Sequence, residues 1–352
     1  MFLNRLKSLR SNVRRTVVAV VVAAAAIGAA PVADSDAASF EALRAADLRL
    51  ATIGHRLATA NAALCAERQP ATGLVLHAID QYRGDAQAAA RAHFGFARPL
   101  GVMAVVPGSA GQRAGLRADD ALASLAGVEA MKITGDAANH PETHRLLAAH
   151  RLIASQSPDA PVALSVERAG RAIALTLAAQ PACRTRFELA VSDRVEARAD
   201  GEMVQISTRA LADNRADADL AALVAHELAH NILRHRARLD VAGVSRGLFA
   251  GVGGSGDRFR QSEIEADLLS VHLVANAGFA PAGVADFWSR FGRANTGLIQ
   301  PGTHPGWRHR VAATRAEAAY IAKGQGAARV RTLVAWRDRP LDGNWRETAG
   351  LR

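Results

Sequence analysis

Residues 226–230 read His-Glu-Leu-Ala-His, and this stretch constrains the chain more than any other. Leu220, Leu223, Val224, Leu228, Ile232 and Leu233 around it recur at helical period, so the segment is expected to be an amphipathic helix. Asp217 or Asp219 supplies an N-cap for it. His226 and His230 stand four residues apart and share one helix face, where both imidazoles reach a single tetrahedral ion. Glu227 lies on the neighbouring face, beside the position such an ion leaves open. A zinc ion there lowers the pKa of water to about 7, and Glu227 is placed to take the proton.

Two histidines leave such a site one ligand short. The extended motif that supplies a third histidine from the same segment needs Gly and His where this chain has Leu233 and Arg236. His235 falls at the wrong phase for a continuous helix. A carboxylate from a second helix is the other solution, and Gln261-Ser262-Glu263-Ile264-Glu265-Ala266-Asp267 offers one ahead of an apolar run. Glu263 and Asp267 share a face, while Glu265 points elsewhere. Glu263 is thus the expected third ligand. Asp267, one turn on, accepts the second N–H of a ligating histidine and fixes its tautomer. An acidic first turn complementing the helix dipole is the competing explanation.

With Thr303-His304-Pro305 and Arg310 downstream, these motifs over residues 183–320 resemble family forty-eight of the metallopeptidases. Those gluzincins include the CAAX prenyl protease type 1, the membrane heat-shock protease HtpX and periplasmic proteases of outer-membrane quality control. The resemblance implies His226, His230 and Glu263 as zinc ligands, Glu227 as general base, Asp267 as supporting acid, and catalytic-site places for His304 and Arg310. His304 either polarises the scissile carbonyl or caps the open zinc position. Val204, Gln205 and Ile206, in the alternating stretch 201–208, are expected to form the edge strand that holds substrate by main-chain pairing. The glycine-rich stretch 247–256 is either a loop over the cleft or a linker.

A different pattern separates the cysteines. A strand at 101–106, a short helix at 109–114, a strand at 121–127, a helix from Pro141 to Ser155 and a hairpin over Ala169-Gly170 are expected. The order, with PGSA, AGL, DD and SLAG in sequence, resembles a PDZ domain of bacterial proteases. Asp119 stands where that family carries glycine, and aspartate tolerates the left-handed region. The resemblance puts the peptide groove along Leu100, Gly101, Val102 and Met103, against a helix at 144–152. A small αβ domain that only props up its neighbour is the plainer alternative.

Arg5, Lys7, Arg10, Arg14 and Arg15 precede an uncharged apolar run from Thr16 to Ala30. That order is expected of a secretory signal, or of an uncleaved inner-membrane anchor, and places the remainder in the periplasm or another extracytoplasmic space. Cys65 and Cys183 then read as one disulfide, or else as two buried thiols. Net charge is +10, and excluding residues 1–38 leaves 38 basic against 31 acidic residues. Trp336 and Trp345 sit in an arginine-dense C-terminal region without a nucleic-acid motif. That region reads as a solvated basic face or a membrane-surface contact.

The expected architecture is α+β. Residues 1–38 are a signal or anchor, 39–96 a helical first part of the peptidase, 97–180 an inserted PDZ-like β-sandwich or barrel, and 181–352 the mainly helical zinc metallopeptidase with a small edge sheet. The expected activity is endopeptidase cleavage of unfolded or misassembled envelope proteins with one Zn²⁺ per chain. The PDZ-like part would recruit unfolded or C-terminal peptide segments or regulate the enzyme. A peptide-binding chaperone with a gated or structural zinc site is the alternative.

Overall fold

The computed structural model describes residues 32–244, 253–294 and 304–350. The apolar run 16–30, residues 247–252 of the glycine-rich stretch and Thr303 lie outside the described residues. Among the described residues no helix is long and apolar enough to cross a membrane.

The described residues are α+β and build two large apolar cores with two smaller clusters beside them. They open with a long helix, α1 (Val32–Ala60), then β1 (Arg68–Ala71), β2 (Leu74–Ala78) and α2 (Asp85–Phe94). Next come β3 (Leu100–Val105), α3 (Ala110–Arg113), β4 (Ala121–Leu125), β5 (Val128–Glu129) and α4 (His144–Ala154). The hairpin strands β6 (Val162–Arg168) and β7 (Arg171–Leu177) follow. They turn through Ala169 and Gly170, both at positive φ (49° and 73°), as a two-residue hairpin turn requires. Asp119 also takes the left-handed conformation, φ 66°, as its side chain allows.

The chain then returns through β8 (Gln180–Cys183), β9 (Arg186–Ala190), β10 (Ala197–Ala199) and β11 (Met203–Ser207). The remainder is helical: α5 (Thr208–Asp213), α6 (Asp217–Ile232), α7 (His235–Val241), α8 (Gly253–Asn276) and α9 (Gly283–Ala294). Helices α10 (Trp307–Ala322), α11 (Gly326–Val334) and α12 (Trp345–Thr348) complete it.

The first core is helical. Leu220, Val224 and Leu228 of α6 are buried against Ile264, Leu269 and Val271 of α8 and Leu50, Ile53 and Leu57 of α1. Buried pairing reinforces it: Glu317 of α10 accepts from His272 of α8 at 2.7 Å and from Arg329 of α11 at 2.9 Å. Trp345 is buried and Trp336 packs against the same core, so both tryptophans of the basic C-terminal region serve packing. The second core lies under a sheet ordered β2-β3-β4-β6-β7, with β5 beside β4, covered by α4.

Several expectations are corrected here. The sheet begins at β2, which pairs with β3, so Leu74–Ala78 lie in the sheet unit rather than the helical first part and the boundary at 97 falls too late; α2 packs on α1 through Phe40 and Phe94. Leu100, Gly101, Val102 and Met103 lie in β3, between β2 and β4; with both its edges occupied, β3 cannot take a further strand. Val204, Gln205 and Ile206 lie in β11, flanked by β10 and β9, so β11 is the centre of its sheet and not an edge. Alternation marks a strand buried on one face but says nothing about neighbours in the plane of the sheet. Pro141 precedes α4 by three residues, and Thr143 is the N-cap. Asp217 and Asp219 sit inside the first turn of α6, whose N-cap is Ala216; they accept from Arg49 and Arg290 instead.

The two units meet across a cavity of about 790 Å³. Leu74, Leu76 and His150 of the sheet unit face Phe187 and Gln205 of the helical unit there. Cys65 and Cys183 are disulfide-bonded beside the antiparallel pair β1–β8, where the chain leaves and re-enters the helical unit. Closing a loop of 118 residues stabilises mainly by restricting the unfolded chain.

We expect a non-reducing peptide map to show one linked pair, and Cys65→Ser to lower unfolding stability by about 2–4 kcal/mol. Two alkylatable thiols in oxidised protein would refute the pairing. Asp47 of α1 faces the cavity, and burial pushes its carboxyl up to about 7. From the ordinary value of about 4 up to that pH, the folded state binds more protons than the unfolded one. Stability therefore falls across this window as pH rises. Asp47→Asn should flatten that slope and raise the urea midpoint at pH 8 but not at pH 4.

Candidate metal centre

Four helices converge on one buried cluster. The apolar stripe of α6 faces the core, which turns His226 and His230 together toward α8. Helix α8 begins at Gly253, so Glu263 and Asp267 lie well inside it. A first-turn dipole role is thereby excluded, since that effect is confined to the terminal turn.

His226 Nε2 is 3.2 Å from His230 Nε2 and 3.4 Å from Glu263 Oε2, and His230 Nε2 is 3.5 Å from Glu263 Oε1. A tetrahedral ion with bonds of ~2.0–2.2 Å separates its ligand atoms by about 3.3–3.6 Å. The three donors therefore fit one such ion, and they are the sole group of this kind among the described residues. Glu227 is buried next to them, within electrostatic reach of His226, Glu263 and Arg310. His304 Nε2 lies 3.6 Å from Glu263 Oε2 and is the most exposed member of the cluster.

The supporting layer is equally specific. His226 Nδ1 donates to Asp267 Oδ1 at 3.0 Å, and Asp267 is fully buried. Arg310 of α10 donates from Nε and Nη2 to the two oxygens of Asp267, each at 2.7 Å. Trp288 of α9 lies under the Arg310 guanidinium at 3.3 Å and meets the His226 ring edge-on at 5.2 Å. His230 Nδ1 lies 2.9 Å from His235 Nδ1, and His235 Nε2 is 3.1 Å from Glu265 Oε2.

Charge follows from these contacts. Burial and the Arg310 guanidinium oppose the charged form of His226, yet the Asp267 and Glu263 carboxylates outweigh them and raise it to about 9. Burial pushes the Glu227 carboxyl up to about 7, in the range suited to proton transfer near neutrality. Burial also opposes ionisation of Glu263, but His304, His226 and His230 hold it well below the usual carboxylate range.

All seven residues expected at the centre are thus brought together: His226, Glu227, His230, Glu263, Asp267, His304 and Arg310. Trp288, His235, Glu265 and Arg238 were not expected there. Trp288 carries no motif signal, because any aromatic on an amphipathic helix reads as core. His235 is out of phase only for an unbroken helix, and α6 ends at Ile232. No family model matches the chain, and no curated protein is significantly similar to it.

Arg310→Ala would strip the buried Asp267 of two of its three donors and leave it only His226, at a cost of about 3–5 kcal/mol. Urea unfolding in the presence of a chelator reads this without contribution from a metal. A change below 1 kcal/mol would mean that the Asp267–Arg310 pair is not formed.

Proposed function

We propose that this chain is a zinc-dependent endopeptidase of the gluzincin type, with a PDZ-like unit that takes peptide segments. The carrying observation is the meeting of the His226 and His230 Nε2 atoms with the Glu263 carboxylate at 3.2–3.5 Å, beside the buried Glu227. His226, His230 and Glu263 would hold the ion, which when bound supplies Lewis acidity to water and the scissile carbonyl. Glu227 accepts a proton from the attacking water and passes it to the leaving amine. Asp267 and Arg310 orient His226. His304, open to solvent, is placed to donate to the oxygen of a tetrahedral adduct or to cover the ion at rest.

Peptide capture has a better candidate than β3 or β11. Among the described residues strand β2 pairs only with β3 and so ends its sheet, and the cavity runs along that edge from Thr72 to Leu76 beside Leu146, Leu147 and His150 of α4. Strand addition there reads main chain and suits unfolded or C-terminal segments. This groove also supports a second reading, in which the chain holds peptides without cleaving them. An extracytoplasmic setting is consistent with the disulfide. The basic-then-apolar N-terminus is proposed as its signal or anchor.

The purified protein should contain about one zinc per chain, and Glu263→Ala should lose it. Glu227→Gln should retain zinc while hydrolysis of unfolded protein falls by about 10²-fold or more. A folded wild type that takes up no zinc would sink the enzyme reading. Zinc with tight peptide binding and no turnover would favour the holding function.

A further inference from the structure

The two histidines of the centre are backed differently, and the difference points to residues with no role assigned so far. His226 donates straight to a carboxylate, Asp267. His230 meets a second imidazole. Its Nε2 points into the ion site, beside Glu263 and His226, so once that nitrogen binds an ion the hydrogen of the neutral ring sits on Nδ1 and needs an acceptor there. His235 Nδ1 lies at 2.9 Å. With that nitrogen accepting, the hydrogen of His235 sits on Nε2 and is donated to Glu265 Oε2 at 3.1 Å. Glu265 also accepts from Arg238 Nη1 and Nη2 at 2.5 and 3.2 Å, and from Gln261 Nε2 at 2.9 Å. One carboxylate thus dictates both tautomers in series.

Backbone geometry shows that this contact is constructed. In an unbroken helix His235 would point well away from His230, five residues earlier. Instead α6 stops at Ile232, and Arg234 adopts the left-handed conformation, φ 55°, before α7 restarts at His235. That conformation costs a residue with a Cβ roughly 1–2 kcal/mol. A glycine would remove the cost, yet arginine is tolerated because both flanking helices are packed. His235 and Glu265 are 1% and 2% exposed in side chain, so water cannot substitute for either partner.

We propose that His235 is a positioning residue for His230. It accepts the Nδ1 hydrogen, holds the ring with Nε2 toward the ion site, and is itself fixed by Glu265 through Arg238 and Gln261. This rests on the zinc reading above. The competing explanation is that His235 only ties α7 to α8 through Glu265.

Two variants of the full-length protein separate these roles. His235→Asn puts an amide near the Nδ1 position and keeps the contact to His230. His235→Gln puts its amide near the Nε2 position and keeps the contact to Glu265. Zinc dissociation constants from chelator competition, and the visible absorption of the Co²⁺-loaded protein, are the readouts. We expect His235→Gln to weaken zinc about 10–100-fold and to perturb the cobalt spectrum. His235→Asn should stay within a few-fold of wild type. The reverse order, or wild-type affinity in His235→Gln, would overturn the positioning role and leave the zinc site standing. Absence of zinc binding in the folded wild type would remove both.

Discussion

Arg310, Asp267 and His226 form the contact on which the rest of the helical unit depends. A carboxylate with no exposed surface is costly to bury unless its lone pairs are satisfied, and three donors satisfy Asp267. Those donors come from α6 and α10, and the acceptor from α8. Trp288 closes the fourth side from α9 by stacking on the guanidinium. Four helices are therefore held in one arrangement by a single small network. Removing Asp267 leaves the buried Arg310 without its carboxylate, and removing Arg310 takes two of the three donors from Asp267, so the centre forms as a unit.

That arrangement also sets the chemistry. The same packing that hides Asp267 hides Glu227, and burial is what lifts Glu227 toward neutrality. Glu263 is buried too but surrounded by imidazoles, and it stays ionised. Two glutamates in one low-dielectric pocket are thus separated by their neighbours, one lifted toward neutrality and one held ionised, as the proposed proton carrier and zinc ligand require. The sheet unit contributes nothing to this centre. Its contribution is the outer edge of β2, held against the helical unit across a shared cavity and tethered by the disulfide at the crossing point.

Much of the centre was legible in the chain because helical spacing is local information. Four-residue intervals place His226 with His230 and Glu263 with Asp267 whatever the remaining residues do, and burial of the apolar stripes then turns the two pairs toward each other. The order of elements from β3 to β7 was equally readable, since Ala169-Gly170, Ser109 and Asp119 mark turns and caps by their own conformational preferences. Two cysteines left one possible intramolecular pair, Cys65 with Cys183, against two free thiols, and the fold joins them.

What the chain could not reveal was everything that depends on which elements become neighbours. Alternation at Val204–Ile206 and the apolar run after Leu100 marked two strands but could not show that each is flanked on both sides, nor that β2 would end its sheet. Trp288 reaches the centre only because α9 folds over the cluster, and it carries no motif of its own. The break at Arg234 was equally invisible. No glycine marks it, and its left-handed turn persists because packing on either side outweighs a local cost of roughly 1–2 kcal/mol. The sequence by itself determined which residues can share a helix face, through the fixed period of the helix. Tertiary structure alone decided which faces meet, because sheet order, helix docking and the turn at Arg234 are set by contacts between residues far apart in the chain.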